Sequence, residues 1–327
     1  MSVFKKTFND LLSVPLLMLC LPSTASARPS VVFLIDSGLD LTQYSKQVAS
    51  IDGIPQVFDL SRPESTDSPV PSIKDDISHG TKVMSVISAL NPGVRVVPIQ
   101  VISLASSSAA SSKNDLVIAR AIQLVARLAP RFIREGSDVL VNMSLVSSES
   151  DLSPEAKAAW RNSFEALSKV DLDHLWVVTS LGEAKSGGLL KLGYPSHFSA
   201  DFPGLILTVV SENADGKVSE FSDVSSDVNS VAEGEHLPIQ WSKDASQYSK
   251  VQEIMQGNDD AAKSRVSHST GNSFAVGNEI GKITLRLEQG VELKTLKLRC
   301  NQRPSASTEL DYVGLQALIR SQGDCLK

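Results

Sequence analysis

The sequence has few cysteines, no excess of basic residues, and no long apolar run after its N-terminal segment. Among 327 residues there are 3 cysteines, and 31 Lys and Arg against 37 Asp and Glu give a formal net charge of −6. This charge, without a Lys/Arg cluster, argues against a nucleic-acid partner. Because no histidine lies near Cys300 or Cys325 in the sequence, a metal site is not expected there. The composition, 42% hydrophobic and 21% charged, is typical of a globular protein.

The N-terminal apolar run has the layout of a secretory signal. Lys5-Lys6 precedes an apolar stretch over residues 11–21, and Ala25-Ser26-Ala27 forms a small-x-small cleavage site. We therefore expect residues 1–27 to be a signal peptide and the mature chain to begin at Arg28. Its expected location is secreted or periplasmic, without stable membrane insertion after cleavage.

Two alternatives to a cleaved signal are an uncleaved anchor and a lipoprotein signal at Cys20. The apolar stretch is short for a bilayer span, and the bulky Leu19 before Cys20 argues against lipidation. After cleavage two cysteines remain. In an oxidising compartment, Cys300 and Cys325 are expected to form a disulfide that staples the C-terminal segment. Two unpaired buried thiols are the alternative.

Apolar runs that alternate with amphipathic patterns indicate an α/β fold. The runs are rich in Val, Ile and Leu without strict alternation, as expected for strands buried on both faces of a parallel sheet. The predicted strands are Val31–Asp36, Val94–Ile102, Asp138–Leu145, Leu175–Ser180, Leu205–Ser211 and Asp227–Ala232. Helical periodicity follows His79, covers Ile118–Leu128, begins at Pro154 and follows Ser273. We expect three layers, with a mostly parallel β-sheet and helices on both faces.

The chain shows no internal repeat and no interdomain linker. We expect one domain over residues 28–290, with a C-terminal extension, residues 291–327, packed on it. The segments predicted to be irregular are residues 59–76, 103–112 and 236–270. In the first, Asp75 and Asp76 are expected to face solvent. The last is a long polar insertion, with a short helix expected near Tyr248–Met255.

Three short segments carry an acid, a histidine and a serine in that order along the chain. They are Ile35-Asp36-Ser37-Gly38, Ser78-His79-Gly80-Thr81 and Thr270-Gly271-Asn272-Ser273-Phe274-Ala275. A serine hydroxyl needs a base to accept its proton, and the base needs a partner that fixes its tautomer. Asp36 ends a predicted strand, while His79 and Ser273 each open a predicted helix. The dipole of the first helix disfavours a protonated His79, and that of the second stabilises an oxyanion at Ser273. Each segment alone is common in structural turns, but order, spacing and context together predict a hydrolytic triad.

These segments resemble the signature segments of the subtilisin-like serine proteases. The matching positions are Asp36–Gly38, His79–Thr81 and Gly271–Ala275. Residues Val141–Leu145 are similar to that family's substrate-binding strand, along which a peptide lies as an added β-strand. The resemblance runs from Val31 to about Leu287, which is most of the expected mature chain.

The resemblance implies an exported serine endopeptidase that acts through an acyl-enzyme on a peptide or protein substrate. Residues 28–290 would form the subtilisin-like peptidase domain, with Asp36, His79 and Ser273 as the catalytic triad. The implied substrate-binding residues are Asn142, Ser144, Leu145, Val146 and Gly182. No cofactor is expected. Calcium sites are common in the family, but no calcium ligands can be assigned in this sequence.

Four positions depart from the family pattern. Glu183 stands where the family places an Asn that donates to the oxyanion, and an ionised carboxylate about 4 Å away would repel that oxyanion by roughly 4 kcal/mol at an effective dielectric near 20. Open interpretations are a protonated Glu183 that donates, another donor, a poorly active site, or a one-residue misalignment of this loop. Asn272 replaces the Thr that usually precedes the serine, and Gly277 replaces a Pro in the turn that follows it. Val146 replaces a Gly, and a branched side chain there favours small substrate side chains or closes the pocket.

The expected start of the mature chain is also unusual for the family. Only residues 28–35 separate the predicted cleavage site from Asp36, so no folding propeptide is expected. Together with Glu183 and Val146, this supports a second hypothesis, a protease-like domain that binds a peptide or partner protein without cleaving it. A third hypothesis is an esterase or other acyl hydrolase that uses the same triad.

Overall fold

A computed structural model describes residues 27–62, 65–104, 111–147, 152–182, 193–222, 228–245, 266–301 and 325–326. In these ranges apolar strands alternate with helices. The strands are β1 (Ser30–Asp36), β2 (Ser50–Ile51), β3 (Ile54–Pro55), β4 (Phe58–Asp59), β5 (Arg95–Gln100), β6 (Asp138–Met143), β7 (Leu175–Ser180), β8 (Ile206–Glu212), β9 (Ser230–Glu233), β10 (Leu237–Gln240) and β11 (Val266–Ser269). The helices are α1 (Leu41–Tyr44), α2 (His79–Leu90), α3 (Ser111–Arg134), α4 (Pro154–Leu167), α5 (Asn272–Glu288) and α6 (Leu293–Asn301).

Seven strands form the central sheet, in the order β4-β5-β1-β6-β7-β8-β9. Every neighbouring pair in this sheet is parallel. All residues of β1 are buried, which explains why its sequence is a continuous apolar run. Because parallel strands end at the same edge, Asp36, Met143 and Ser180 leave the sheet side by side.

Helices cover both faces of the sheet, as predicted. Side chains alternate along β1, so Val31, Phe33 and Ile35 pack in the layer that contains α3 and α4. Val32 and Leu34 pack in the opposite layer, with α2, α5 and α6. The prediction of a three-layer α/β fold is confirmed.

The structure differs from the sequence-based prediction at the ends of elements and in elements that were not predicted. Among the latter are α6 and β4, whose Asp59 lies in a segment expected to be irregular. Strands β5 and β6 are shorter than predicted, because residues 101–102 and 144–145 have already left the sheet. Asp227 lies outside the described residues, and β9 begins at Ser230. The polar insertion starts and ends as an antiparallel ribbon of β10 and β11, and Tyr248–Met255 lies outside the described residues. So does most of the segment over residues 103–112.

A disulfide joins Cys300 at the end of α6 to Cys325 near the C-terminus. Both cysteines are buried, in the same apolar layer as Leu293 and Leu296 of α6 and Leu287 of α5. The predicted pairing is therefore present, and α6 packs against α5. The division between residues 28–290 and the extension stays a prediction.

Replacing Cys300 with serine should lower the free energy of unfolding by about 3 kcal/mol, because the bond closes a loop between residues 25 apart in sequence. Guanidinium unfolding of the oxidised protein, followed by tryptophan fluorescence, measures the loss. Dithiothreitol should lower the stability of the wild type to the same value and leave Cys300→Ser unchanged. Equal stability of the oxidised and fully reduced wild type would contradict the prediction.

Across the described ranges, no helix is both long and apolar enough to cross a bilayer. Residues 1–26 of the predicted signal peptide lie outside these ranges. Signal cleavage and export therefore stay predictions.

Candidate active site

Asp36 and His79 meet at the carboxyl edge of the sheet. Asp36 is the last residue of β1, and His79 is the first residue of α2. His79 Nδ1 lies 2.8 Å from Asp36 Oδ1, and the same oxygen accepts a hydrogen bond of 2.7 Å from the Ser37 backbone N–H. Asp36 is buried, whereas 33% of the His79 side chain is exposed. Because an ionised carboxylate only accepts, Nδ1 carries the proton and Nε2 is the basic nitrogen.

The charges around His79 set its pKa. Burial acts to lower the pKa of His79, but the charge of Asp36 and its hydrogen bond outweigh burial, with a further contribution from Asp75. The charge of Lys82 acts to lower the pKa of His79. The net result is a pKa above the ordinary value of histidine. His79 is therefore a neutral base only above this raised pKa, and a reaction that needs the base must slow on the acid side.

Gly80 allows α2 to lie close to the end of β1. A Cβ on Gly80 would lie 2.1 Å from the Gly38 carbonyl oxygen and 3.2 Å from Asp36 Cβ. The Gly80 N–H also donates to Ser37 Oγ at 3.0 Å. The glycine after the histidine therefore permits the approach that brings His79 to Asp36.

The prediction that Asp75 faces solvent is wrong. Asp75 is fully buried. Its carboxylate accepts hydrogen bonds from Ser37 Oγ at 2.7 Å, the Ser78 N–H at 2.8 Å and the Thr81 N–H at 2.7 Å. Two of these donors are backbone groups at the start of α2, so Asp75 caps the helix from the preceding loop. Asp76, its neighbour, is partly exposed.

Asp75 also holds a strained residue in place. Ser78, just before His79, has left-handed dihedrals of φ 69° and ψ 8°, which cost about 1–3 kcal/mol in a residue other than glycine. Burial raises the pKa of Asp75, and the charge of Asp36 adds to the rise, against the lowering effect of its hydrogen bonds. The carboxylate thus links the loop after Asp36 to the backbone that carries His79.

Replacing Asp75 with asparagine should lower the free energy of unfolding by about 2–3 kcal/mol. Oδ1 and Oδ2 each accept from a backbone N–H, so an amide NH₂ would face a donor in either orientation. Urea unfolding measures the change. Asp76→Asn is the matched control, since Asp76 accepts only from the exposed Leu104 N–H among the described residues, and the amide oxygen of Asn can still accept that bond. Equal stability of the two variants would contradict the capping role.

Ser273 lies in the first turn of α5, beside the end of β6. Its Oγ donates to the Ser144 carbonyl oxygen at 3.1 Å, and Ser144 Oγ donates to the Ser273 carbonyl oxygen at 3.1 Å. The ring of the next residue, Phe274, lies 6.0 Å from the His79 ring between centroids. The structure therefore brings Ser273 to the edge that holds Asp36 and His79. Its hydroxyl bonds to Ser144 rather than to His79.

Asn272 ties the start of α5 to two strand ends. Its buried Oδ1 accepts from the Ser211 N–H at 2.8 Å and from Ser222 Oγ at 2.7 Å. Its Nδ2 donates to the carbonyl oxygen of Gly182, the second residue after β7. Asn272 therefore fixes the backbone at Gly182, the residue before Glu183. The sequence indicated only that Asn272 departs from the family pattern, not that it makes these hydrogen bonds. Glu183 itself lies outside the described residues.

The strand-end segment after β6 borders the Ser273 hydroxyl. Asn142 Oδ1 accepts from the Ser144 N–H at 3.2 Å, and both residues are buried. Leu145 packs partly into the core. Val146 is 39% exposed, and a Cβ on Gly193 would lie 2.2 Å from Val146 Cγ1. The Val146 side chain therefore fills the space against the backbone of Gly193.

The described part of the chain contains no group of three or more His, Cys, Asp or Glu side chains that could hold a metal ion. No calcium ligand set can be assigned to these residues.

Comparison with known proteins is informative at the level of structure. Scans of the sequence against protein-family models and against curated proteins find no match. The structure is similar to a cold-adapted subtilisin-like serine proteinase, with a TM-score of 0.54 and 18% identity, covering 89% of this chain and 88% of that one. It is also similar to a lanthipeptide protease, with a TM-score of 0.58 and 18% identity over 91% and 86% of the two chains.

A third similar structure is the nisin leader peptidase NisP from Lactococcus lactis. Its TM-score is 0.56, with 17% identity over 91% of this chain and 88% of that one. All three similarities extend over most of both chains. The chain therefore has the subtilisin-like α/β fold.

Proposed function

We propose that this protein is an exported serine endopeptidase that hydrolyses peptide bonds through an acyl-enzyme on Asp36, His79 and Ser273. The observation that supports it most is the 2.8 Å contact between His79 Nδ1 and Asp36 Oδ1, at the strand edge to which α5 brings Ser273. Acyl transfer requires a base of fixed tautomer and a serine that it can deprotonate, and here both lie at the same edge of the sheet.

In the proposed reaction, Ser273 Oγ attacks the substrate carbonyl carbon while His79 Nε2 takes the hydroxyl proton. The N-terminal end of α5 stabilises the resulting oxyanion, and Asp36 stabilises the imidazolium. His79 then gives the proton to the leaving amine as the C–N bond breaks. A water molecule, deprotonated by His79, attacks the ester and releases the acid. The Ser273 hydroxyl must first turn from the Ser144 carbonyl toward His79, a side-chain rotation that is fast compared with turnover.

The substrate in this proposal is an extended peptide that lies along residues 142–145 as an added strand. Gly182 would border it from the neighbouring strand end. Val146 lies against the backbone of Gly193, and in this proposal its branched side chain narrows the pocket for the residue before the cleaved bond. We therefore expect small residues there.

A second candidate function is peptide or partner-protein binding without turnover. It is favoured by the hydrogen bond that Ser273 Oγ donates to Ser144, which leaves the hydroxyl unengaged with the base. It is also favoured by Glu183 at the expected position of the oxyanion donor. An ionised Glu183 would slow turnover, whereas a protonated one would donate a hydrogen bond and permit it.

A fluorophosphonate probe on the exported protein tests the proposal. We expect a single adduct, located on Ser273 by mass spectrometry, and slower labelling at pH values below the raised pKa of His79. Casein digestion run beside an ester assay separates a peptidase from an esterase. A folded protein without an adduct on Ser273 would favour the binding function instead.

A further inference from the structure

A lysine is held on an aromatic ring one helical turn from His79. Lys82 Nζ lies 3.3 Å from the centroid of the Trp241 ring, within the range of a cation–π contact. Lys82 belongs to α2, whereas Trp241 follows β10 in the polar insertion. Both side chains are half-buried, so the pair lies at the protein surface. Burial lowers the pKa of Lys82 to about 8, so the side chain is mainly a cation at neutral pH.

The backbone around Trp241 is fixed to α2 and to the segment after β1. The Gln240 N–H donates to Ser85 Oγ at 3.0 Å, and the Ser242 N–H donates to Ser78 Oγ at 2.7 Å. The Trp241 carbonyl oxygen accepts from Gln43 Nε2 at 2.8 Å. Trp241 is therefore held in place against α2, with its ring at the Lys82 ammonium group.

Lys82 lies on the same side of α2 as the proposed base. Helix residues three positions apart share a face, and the Lys82 charge acts directly on the pKa of His79. Asp75, whose charge raises the pKa of Lys82 against the effect of burial, is itself fully buried at the helix start. Lys82 therefore places a positive charge on this side of α2, close to the surface.

The chemistry of the proposed function places the leaving half of the substrate on this side. His79 gives its proton to the leaving amine, so the residue after the cleaved bond must lie next to His79. The acyl half follows residues 142–145, on the β6 side of Ser273. Ser144 bonds to Ser273, and the Phe274 ring lies 6.0 Å from the His79 ring. Lys82, with its ammonium group on Trp241, follows His79 by one turn of α2.

We propose that Lys82, held on Trp241, is a specificity-determining residue that favours an acidic side chain just after the cleaved peptide bond. The inference rests on the proposed function and adds the chemical class of the preferred leaving residue. An Asp or Glu carboxylate there would meet the ammonium group, while the neutral amides Asn and Gln would not.

Cleavage-site profiling with a peptide mixture of known sequences tests this inference. In the wild type we expect Asp and Glu to be enriched about threefold to fivefold over Asn and Gln in the first two positions after the cleaved bond. Lys82→Gln should remove the enrichment, and Lys82→Glu should replace it with a preference for Lys and Arg. Lys82→Arg, which keeps a cation over the ring, should retain it. The enrichment should also fall as salt is raised from 50 to 500 mM.

Lys243→Gln is the matched control, because this exposed lysine lies two residues from Trp241 and the substitution removes the same charge. It should retain the wild-type profile, and loss of the enrichment in this variant as well would overturn the inference. So would an enrichment that persists in folded Lys82→Gln. Fluorophosphonate labelling of the same samples separates the two proposals. Labelled Ser273 without acidic enrichment overturns this inference alone, whereas absence of both labelling and cleavage overturns the proposed function and this inference with it.

Discussion

Replacing Ser273 with alanine should lower peptide hydrolysis by about 10⁶-fold and abolish fluorophosphonate labelling, the loss that follows removal of a nucleophile from a triad of this kind. Alanine lacks the oxygen that would form the proposed acyl-enzyme, so only binding and oxyanion stabilisation would remain. The lost hydrogen bond to the Ser144 carbonyl is partly exposed, and the fold should persist. Single-turnover assays on a fluorogenic peptide, with labelling in parallel, measure the effect.

Ser163→Ala is the matched control for this experiment. Ser163 is a buried serine of α4, on the opposite face of the sheet, and donates to the Ala159 carbonyl oxygen. This variant should label and cleave like the wild type. If Ser273→Ala retained the full peptidase activity of the wild type, Ser273 would not be the nucleophile. If neither protein cleaved or labelled, the binding function would be the better account.

Replacing Asp36 with asparagine should lower kcat by about 10⁴-fold, as loss of the charge on the acid member does in related sites. The neutral amide no longer stabilises the imidazolium that forms when His79 takes the proton. Because Asp36 raises the pKa of His79, its removal should lower that pKa. The acid limb of the kcat profile should therefore move to lower pH, and residual activity measured from pH 4 to 9 checks the direction.

The chain contains a matched control for Asp36. Asp138 Oδ1 lies 2.7 Å from His174 Nδ1, at the amino edge of the sheet, where β6 begins. Asp138→Asn removes the same type of carboxylate–imidazole contact far from Ser273. It should leave the acid limb of the profile in place. An Asp36→Asn variant with an unshifted acid limb would show that His79 is not the titrating base.

The sequence was sufficient for six of the seven strands of the central sheet, all but β4 (Phe58–Asp59), and for the order of the site residues along the chain. The apolar run of β1 and the helical stripe after His79 are local patterns, and local patterns determine where buried strands and amphipathic helices form. Because parallel strands end at one edge, the acid, the imidazole and the hydroxyl were expected at that edge. Asp36 and His79 do meet there.

The supporting contacts of the site were not predictable in this way. Asp75 lies in a polar stretch that reads as a surface loop, and its burial depends on how the segment after β1 packs against α2. The roles of Asn272 and Trp241 likewise depend on partners 90 or more residues away in sequence, such as Gly182 and Lys82. Periodicity carries no information about such distant pairs. A single sequence therefore outlines the proposed triad but leaves out the groups that hold it.

The ribbon of β10 and β11 has a consequence for how this chain can diverge. Gln240 pairs with Val266, so the two ends of the excursion before α5 are already joined across a ladder. The entropy of closing a loop grows only slowly with its length. A change in chain length between β10 and β11 should therefore displace neither α5 nor the residues that it carries, because the ladder holds both ends of the insertion.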